Sequence, residues 1–116
     1  MKLFFLSQIF WMSKILFLTT AHRFDDDRIF YHQAKELLSH GFQVKICSLC
    51  SDFVGDKDGV EIESYNIIDQ SSETKTKKFL EVCNQFQPDC VIASEPLAVI
   101  SAGKFRKSKK ISLIYD

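Results

Sequence analysis

The stretch KILFLTT, Lys14–Thr20, is apolar without a break from Ile15 to Leu18. Successive side chains of a strand point to opposite faces, so such a run makes a strand that is apolar on both. It needs packed layers above and below, and that is what a mostly parallel sheet with helices on each side provides.

The remaining periodicities fit that frame. Phe30, Ala34, Leu37 and Leu38 form a helical stripe, and Gly41 stands where a helix C-terminal glycine belongs. Phe42–Leu49 alternates apolar and polar residues like a strand. The segment SDFVGDKDG (51–59) carries two glycines and three aspartates and reads as a turn. Val60–Ile68 alternates again. Ser71–Gln87 is helical, with Phe79, Val82, Cys83 and Phe86 on one face and Pro88 as its stop. Cys90–Ala93 is a short buried strand, Pro96 opens a helix reaching to about Lys107, and Ile111–Tyr115 is a fifth strand. The order predicts an α/β fold, a doubly wound, mostly parallel, Rossmann-like sheet in three α/β/α layers. Ligands of such sheets bind at the carboxyl ends of the strands, which places Thr20–Asp27, Ser94–Pro96 and Asp116 on one rim.

That rim carries the densest polar cluster, His22, Arg23, Asp25, Asp26, Asp27 and Arg28. Three chemistries are excluded by missing partners. A dinucleotide site needs close backbone approach, and the turn after the first strand has no glycine. A phospho-acceptor site needs an aspartate ending the third strand and a lysine after the fifth; only Asp69 offers itself, and the fifth strand ends Tyr115-Asp116. A metal site at Asp25–Asp27 needs convergent oxygens, whereas consecutive side chains diverge. Aspartates before a helix cap its first amides and complement its dipole, which accounts for Asp26 and Asp27 and leaves Asp25 the freer.

The chain of 116 residues suits one domain, 14–116, preceded by an apolar extension at 1–13, and its 46 % hydrophobic content is ordinary for a soluble protein. Fifteen cations balance fifteen acids, so nothing overall points to nucleic acid. Lys104, Arg106, Lys107, Lys109 and Lys110 break that balance locally. They read as a solvated helix end, or as a face for an anionic membrane or ligand. Cys47 and Cys50 form a Cys-x-x-Cys away from a helix N-terminus, and the Cys83–Cys90 spacing suits no zinc pattern. All four cysteines are expected as reduced, apolar core residues of a cytoplasmic protein. The apolar N-terminus is interrupted by Ser7, Gln8, Ser13 and Lys14, short of the roughly 18 residues of a spanning helix.

With these residues assembled, KILFLTTAHRFDDDRIFYHQAKELLSHGFQVKICS resembles the opening of the N-terminal domain of family 4 glycosyltransferases, retaining enzymes of the GT-B fold. A first strand leads to a histidine loop, an acidic run, an Arg-Ile-Phe helix start and a Gly-Phe-x-Val second strand. His22, Asp25, Asp26, Arg28, Ile29, Phe30, Ala34, Leu37, Gly41, Phe42 and Val44 match it. FQPDCVIASEPLAVISAGKFRKSKKISLIYD resembles the family's approach to the fourth strand and the Tyr-Asp that ends the fifth. The fourth strand departs from the family's His-Ala-His-acid ending, reading Ile92-Ala93-Ser94-Glu95 with only the acid kept. The glycine-rich turn of some subfamilies is also absent.

The resemblance implies the N-terminal, acceptor-side half of a transferase that moves a sugar from a nucleotide-sugar to a cell-surface glycan or lipid-linked acceptor. Such a half is expected to be inactive alone and to need no cofactor of its own. The donor would be held by a second domain beyond this chain or by a partner chain. His22, Asp25, Arg28 and Glu95 are the implied substrate-binding residues. His22 stands against a capping or packing role, Arg28 against an ion pair with Asp25 or Asp26, and peripheral contact with the inner face of a membrane is a further expectation. The alternatives are a non-catalytic binding or regulatory subunit of a two-chain transferase, or an unrelated Rossmann-like domain for a small ligand.

Overall fold

The computed structural model of the chain describes residues 14–25 and 30–115. The extension at 1–13, Asp26, Asp27, Arg28 and Asp116 therefore lie outside the described residues. Strands β1 (Lys14–Thr19), β2 (Gln43–Ser48), β4 (Val60–Ser64), β5 (Cys90–Ala93) and β6 (Ser112–Tyr115) are parallel. Strand β3 (Phe53–Lys57) adds an antiparallel edge. The sheet order is β3-β4-β2-β1-β5-β6. Among the parallel strands this is third-second-first-fourth-fifth, the doubly wound order, and it changes direction between β1 and β5.

Strand β1 behaves as its sequence demands. Ile15, Leu16, Phe17 and Leu18 are all fully buried. Ile15 and Phe17 join Ala34 and Leu37 of helix α1 (Phe30–Ser39) on one face. Leu16 and Leu18 join Phe79, Val82 and Phe86 of helix α2 (Ser72–Phe86) and Ala98, Ala102 and Phe105 of helix α3 (Pro96–Phe105) on the other. Burying each large side chain contributes about 1.5–3 kcal/mol, so β1 alone anchors both layers.

The helix ends follow the local chemistry. Gly41 has φ +92°, and the Phe42 and Gly41 amides bond the Leu37 and Leu38 carbonyls, a Schellman closure of α1. The Ser71 hydroxyl caps α2 through the Thr74 N–H at 3.1 Å. Pro96 opens α3 at its first position.

Two expectations need correction. The 51–59 segment is not merely a turn: Phe53–Lys57 forms β3, so the described residues hold six strands rather than five. All five β3 residues are exposed, with no core face, so no apolar alternation marks the strand. It is held by its ladder to β4. The third predicted strand also stops at Ser64 rather than Ile68. The Tyr65 and Ile67 amides turn back to the Ser48 and Leu49 carbonyls, and Asn66 N–H is taken by Asp52.

Because a hairpin rather than a helix links β2 to β4, part of the α2-side sheet surface is covered by charge. Lys45, 5 % exposed, sits between Glu61 and Glu63 of β4, and Tyr65 donates to Glu63 at 2.9 Å. Burial alone would lower the Lys45 pKa, but the two carboxylates outweigh it and raise it.

Candidate functional site

The carboxyl ends of β1 and β5 meet where the strand order reverses. Thr19 ends β1 fully buried, and Glu95, at the N-cap of α3, follows β5 by two residues. The Glu95 carboxylate does not cap its own helix. One oxygen accepts from the Thr19 hydroxyl at 2.8 Å and the other from the Thr20 N–H at 2.8 Å. Burial disfavours its charge, but these two bonds outweigh burial and hold the carboxyl below the ordinary carboxylate range. Glu95 thus latches the loop after β1 to the start of α3.

His22 is fixed through its backbone from two strands. Its N–H donates to Thr19 Oγ1 at 3.1 Å, and its carbonyl accepts from the Ser48 hydroxyl at 2.5 Å, at the end of β2. Its imidazole Nε2 lies 3.7 Å from Glu95 Oε2, with the side chain 40 % exposed. An anchored carboxylate and a solvent-facing imidazole therefore share one corner of the rim. Ser94 Oγ, in the same corner, is buried without a hydrogen bond of ordinary geometry, though it lies near enough to Glu95 to favour its charge.

The sequence-predicted residues separate into two groups. His22 and Glu95 come together. Asp25 turns instead to cations, 3.0 Å from Arg23 Nε and 3.8 Å from Lys57 Nζ of β3. The Arg23 hydrogen bond outweighs desolvation and lowers its pKa, so Asp25 is engaged rather than free. Phe24 stacks on Phe53 of the same hairpin at 4.9 Å, drawing that end of the loop towards β3. Arg28 lies outside the described residues.

Thr19 and Ser48 escape the sequence reading, which sets Thr20 on the rim without a role. Their only signal is two threonines closing an apolar run and one serine ending an alternating one, where polar side chains at strand ends face the rim. Among the described residues, no three His, Cys, Asp or Glu side chains are grouped as a metal ion would require, and no helix is long and apolar enough to cross a membrane. Chemically, the corner offers a partly exposed, fixed carboxylate and a solvent-facing imidazole, braced from behind by buried hydroxyls, a set suited to ligand hydroxyl groups. The chain matches no protein-family model, and no curated protein is significantly similar to it.

Proposed function

We propose that this chain is the acceptor-side domain of a sugar transferase of the GT-B type, binding a glycan or lipid-linked acceptor while a second domain or partner chain holds the nucleotide-sugar. The observation that carries the reading is the convergence of His22 and Glu95 at the reversal point of the strand order. Polyol hydroxyls are recognised by convergent, pre-positioned acceptors and donors on a rigid rim; here the end of β1 holds the Glu95 carboxylate, and the ends of β1 and β2 hold the His22 backbone. The likeness of the Lys14–Ser48 stretch to family 4 glycosyltransferases supplies the substrate class.

Saturation-transfer NMR with hexose-terminated oligosaccharides tests it. Transfer to sugar ring protons is expected, reduced at least severalfold by His22→Ala. Equal transfer in the variant and the parent chain, or none to any glycan, removes the reading. A separate arm mixes the chain with a donor-binding transferase domain and nucleotide-sugar; turnover requiring both halves would favour a two-chain enzyme over a purely regulatory subunit.

A further inference from the structure

Strand β3 closes one side of the sheet, and its hairpin fixes which backbone groups face outward. The Asp58-Gly59 loop, with φ +54° and +87°, sets Lys57 opposite Val60, Gly55 opposite Ile62 and Phe53 opposite Ser64. A two-residue loop of this kind closes on a hydrogen-bonded pair, and such pairs recur at every second residue. The N–H and C=O groups of Phe53, Gly55 and Lys57 therefore point to β4. Those of Val54 and Asp56 point away, where no further strand lies among the described residues. Outward groups of this kind are a template for another strand.

The edge is apolar as well as open. Phe53 and Val54 are 38 % and 67 % exposed. Phe53 stacks on Phe24, and Lys57 Nζ lies 5.6 Å from the Tyr31 ring of α1, so both side chains lie on the α1 face. Val54 and Asp56 lie on the other.

The charges select one partner register. An antiparallel copy of β3 can use the outward groups in three two-fold arrangements. Centred on Asp56, the pair sets that acid against its own copy; centred on Val54, it sets Asp56 against Asp52 of the second copy. Both oppose like charges, which destabilises a cross-strand pair. Centred on Gly55, it sets Val54 against Asp56 and Phe53 against Lys57, with no like-charge pair. Lys57 already lies 5.9 Å from the Phe24 ring, and Phe53 offers the second copy's Lys57 an equivalent face. The central position, where the strands approach most closely, has no side chain.

We infer that β3 is a self-association edge, on which a second copy of this chain pairs antiparallel about Gly55. Two Val54–Asp56 pairs would exchange two main-chain hydrogen bonds each and join the sheets. Strand directions reverse across the two-fold axis, so the two His22–Glu95 rims point opposite ways. Three strand spacings of about 4.8 Å separate β1 from β3, which keeps each rim clear of the seam. The inference stands independently of the sugar-transfer reading.

Sedimentation equilibrium of the full chain tests this, with a monomer expected in dilute solution and a dimer at millimolar concentration. Val54→Pro removes an outward donor without touching the ladder to β4. It should weaken the dimer at least tenfold while circular dichroism stays unchanged. Mild oxidation in a Cys50→Ser background gives a second readout. Gly55→Cys should cross-link two chains, because residues facing across such a pair lie about 4.5 Å apart at Cα. An added Cβ at Gly55 meets only the Phe53 ring, at 3.4 Å. Val54→Cys should not cross-link, since its copy stands diagonally, about 7–8 Å away. A chain that stays monomeric at millimolar concentration, a folded V54P that dimerises as tightly as the parent, or cross-linking through V54C rather than G55C would overturn the proposal.

Discussion

Glu95 carries more of the local structure than its place before a helix implies. Both of its oxygens take hydrogen bonds from the end of β1, one from a buried hydroxyl and one from a backbone amide. Charged hydrogen bonds contribute about 1.5–3 kcal/mol, so Glu95→Ala should cost about 2 kcal/mol in urea denaturation and should loosen residues 20–25. Thr19→Val keeps the shape but removes the hydroxyl shared by Glu95 and His22, and should cost about 1–2 kcal/mol by the same measurement. The carboxylates also set the acid limb of stability. The pKa values of Asp25, Glu63 and Glu95 are lowered on folding, so their contribution is complete above the unfolded values of 3.8 to 4.5 and disappears as pH falls through the folded ones. The urea midpoint should therefore hold steady from pH 7 to about pH 5 and drop steeply below pH 4.

At the scale of elements, the Lys45–Glu61–Glu63 group stands where a helix would otherwise cover β2 and β4. Lys45→Met leaves a largely buried Glu63 without its cation and should cost about 3 kcal/mol, while K45M/E63L should recover most of that loss. A chemical-denaturation cycle over the four proteins checks it. The glycine turns make a paired case. Gly41 has open space around an added Cβ, so Gly41→Ala meets only the left-handed backbone cost of about 1 kcal/mol. At Gly59, with φ +87°, an added Cβ would also meet Leu38 Cδ2 at 2.7 Å, so Gly59→Ala should lower Tm further. The helices, the buried strands and the Gly41 closure were legible because each rests on periodicity or on a residue type bound to one conformation. Strand β3 was not, because a fully exposed edge leaves no apolar imprint. The Glu95 latch joins residues 75 and 76 positions apart, and Asp25 finds Lys57 in a stretch that reads as a turn. Rim membership was readable for His22 and Glu95; their contacts were not.

Over the whole molecule, stability is graded across the sheet. β1 has a parallel neighbour on each side and helices on both faces, whereas β3 is exposed along its length. Native-state hydrogen exchange should find the Leu16–Leu18 amides opening only with global unfolding and the outward β3 amides exchanging earliest. The same gradient decides what solvent reagents can reach. Cys47, Cys83 and Cys90 are fully buried among apolar side chains, and burial pushes the Cys83 and Cys90 thiols up to about 12 and the Cys47 thiol higher still. Cys50 alone is half-exposed, 3.5 Å from the Ser48 hydroxyl that holds His22. A folded chain with four thiols should thus titrate with a disulfide reagent as though it had one. A dye placed there would sit beside the His22 loop, giving a native reporter of whatever enters the rim.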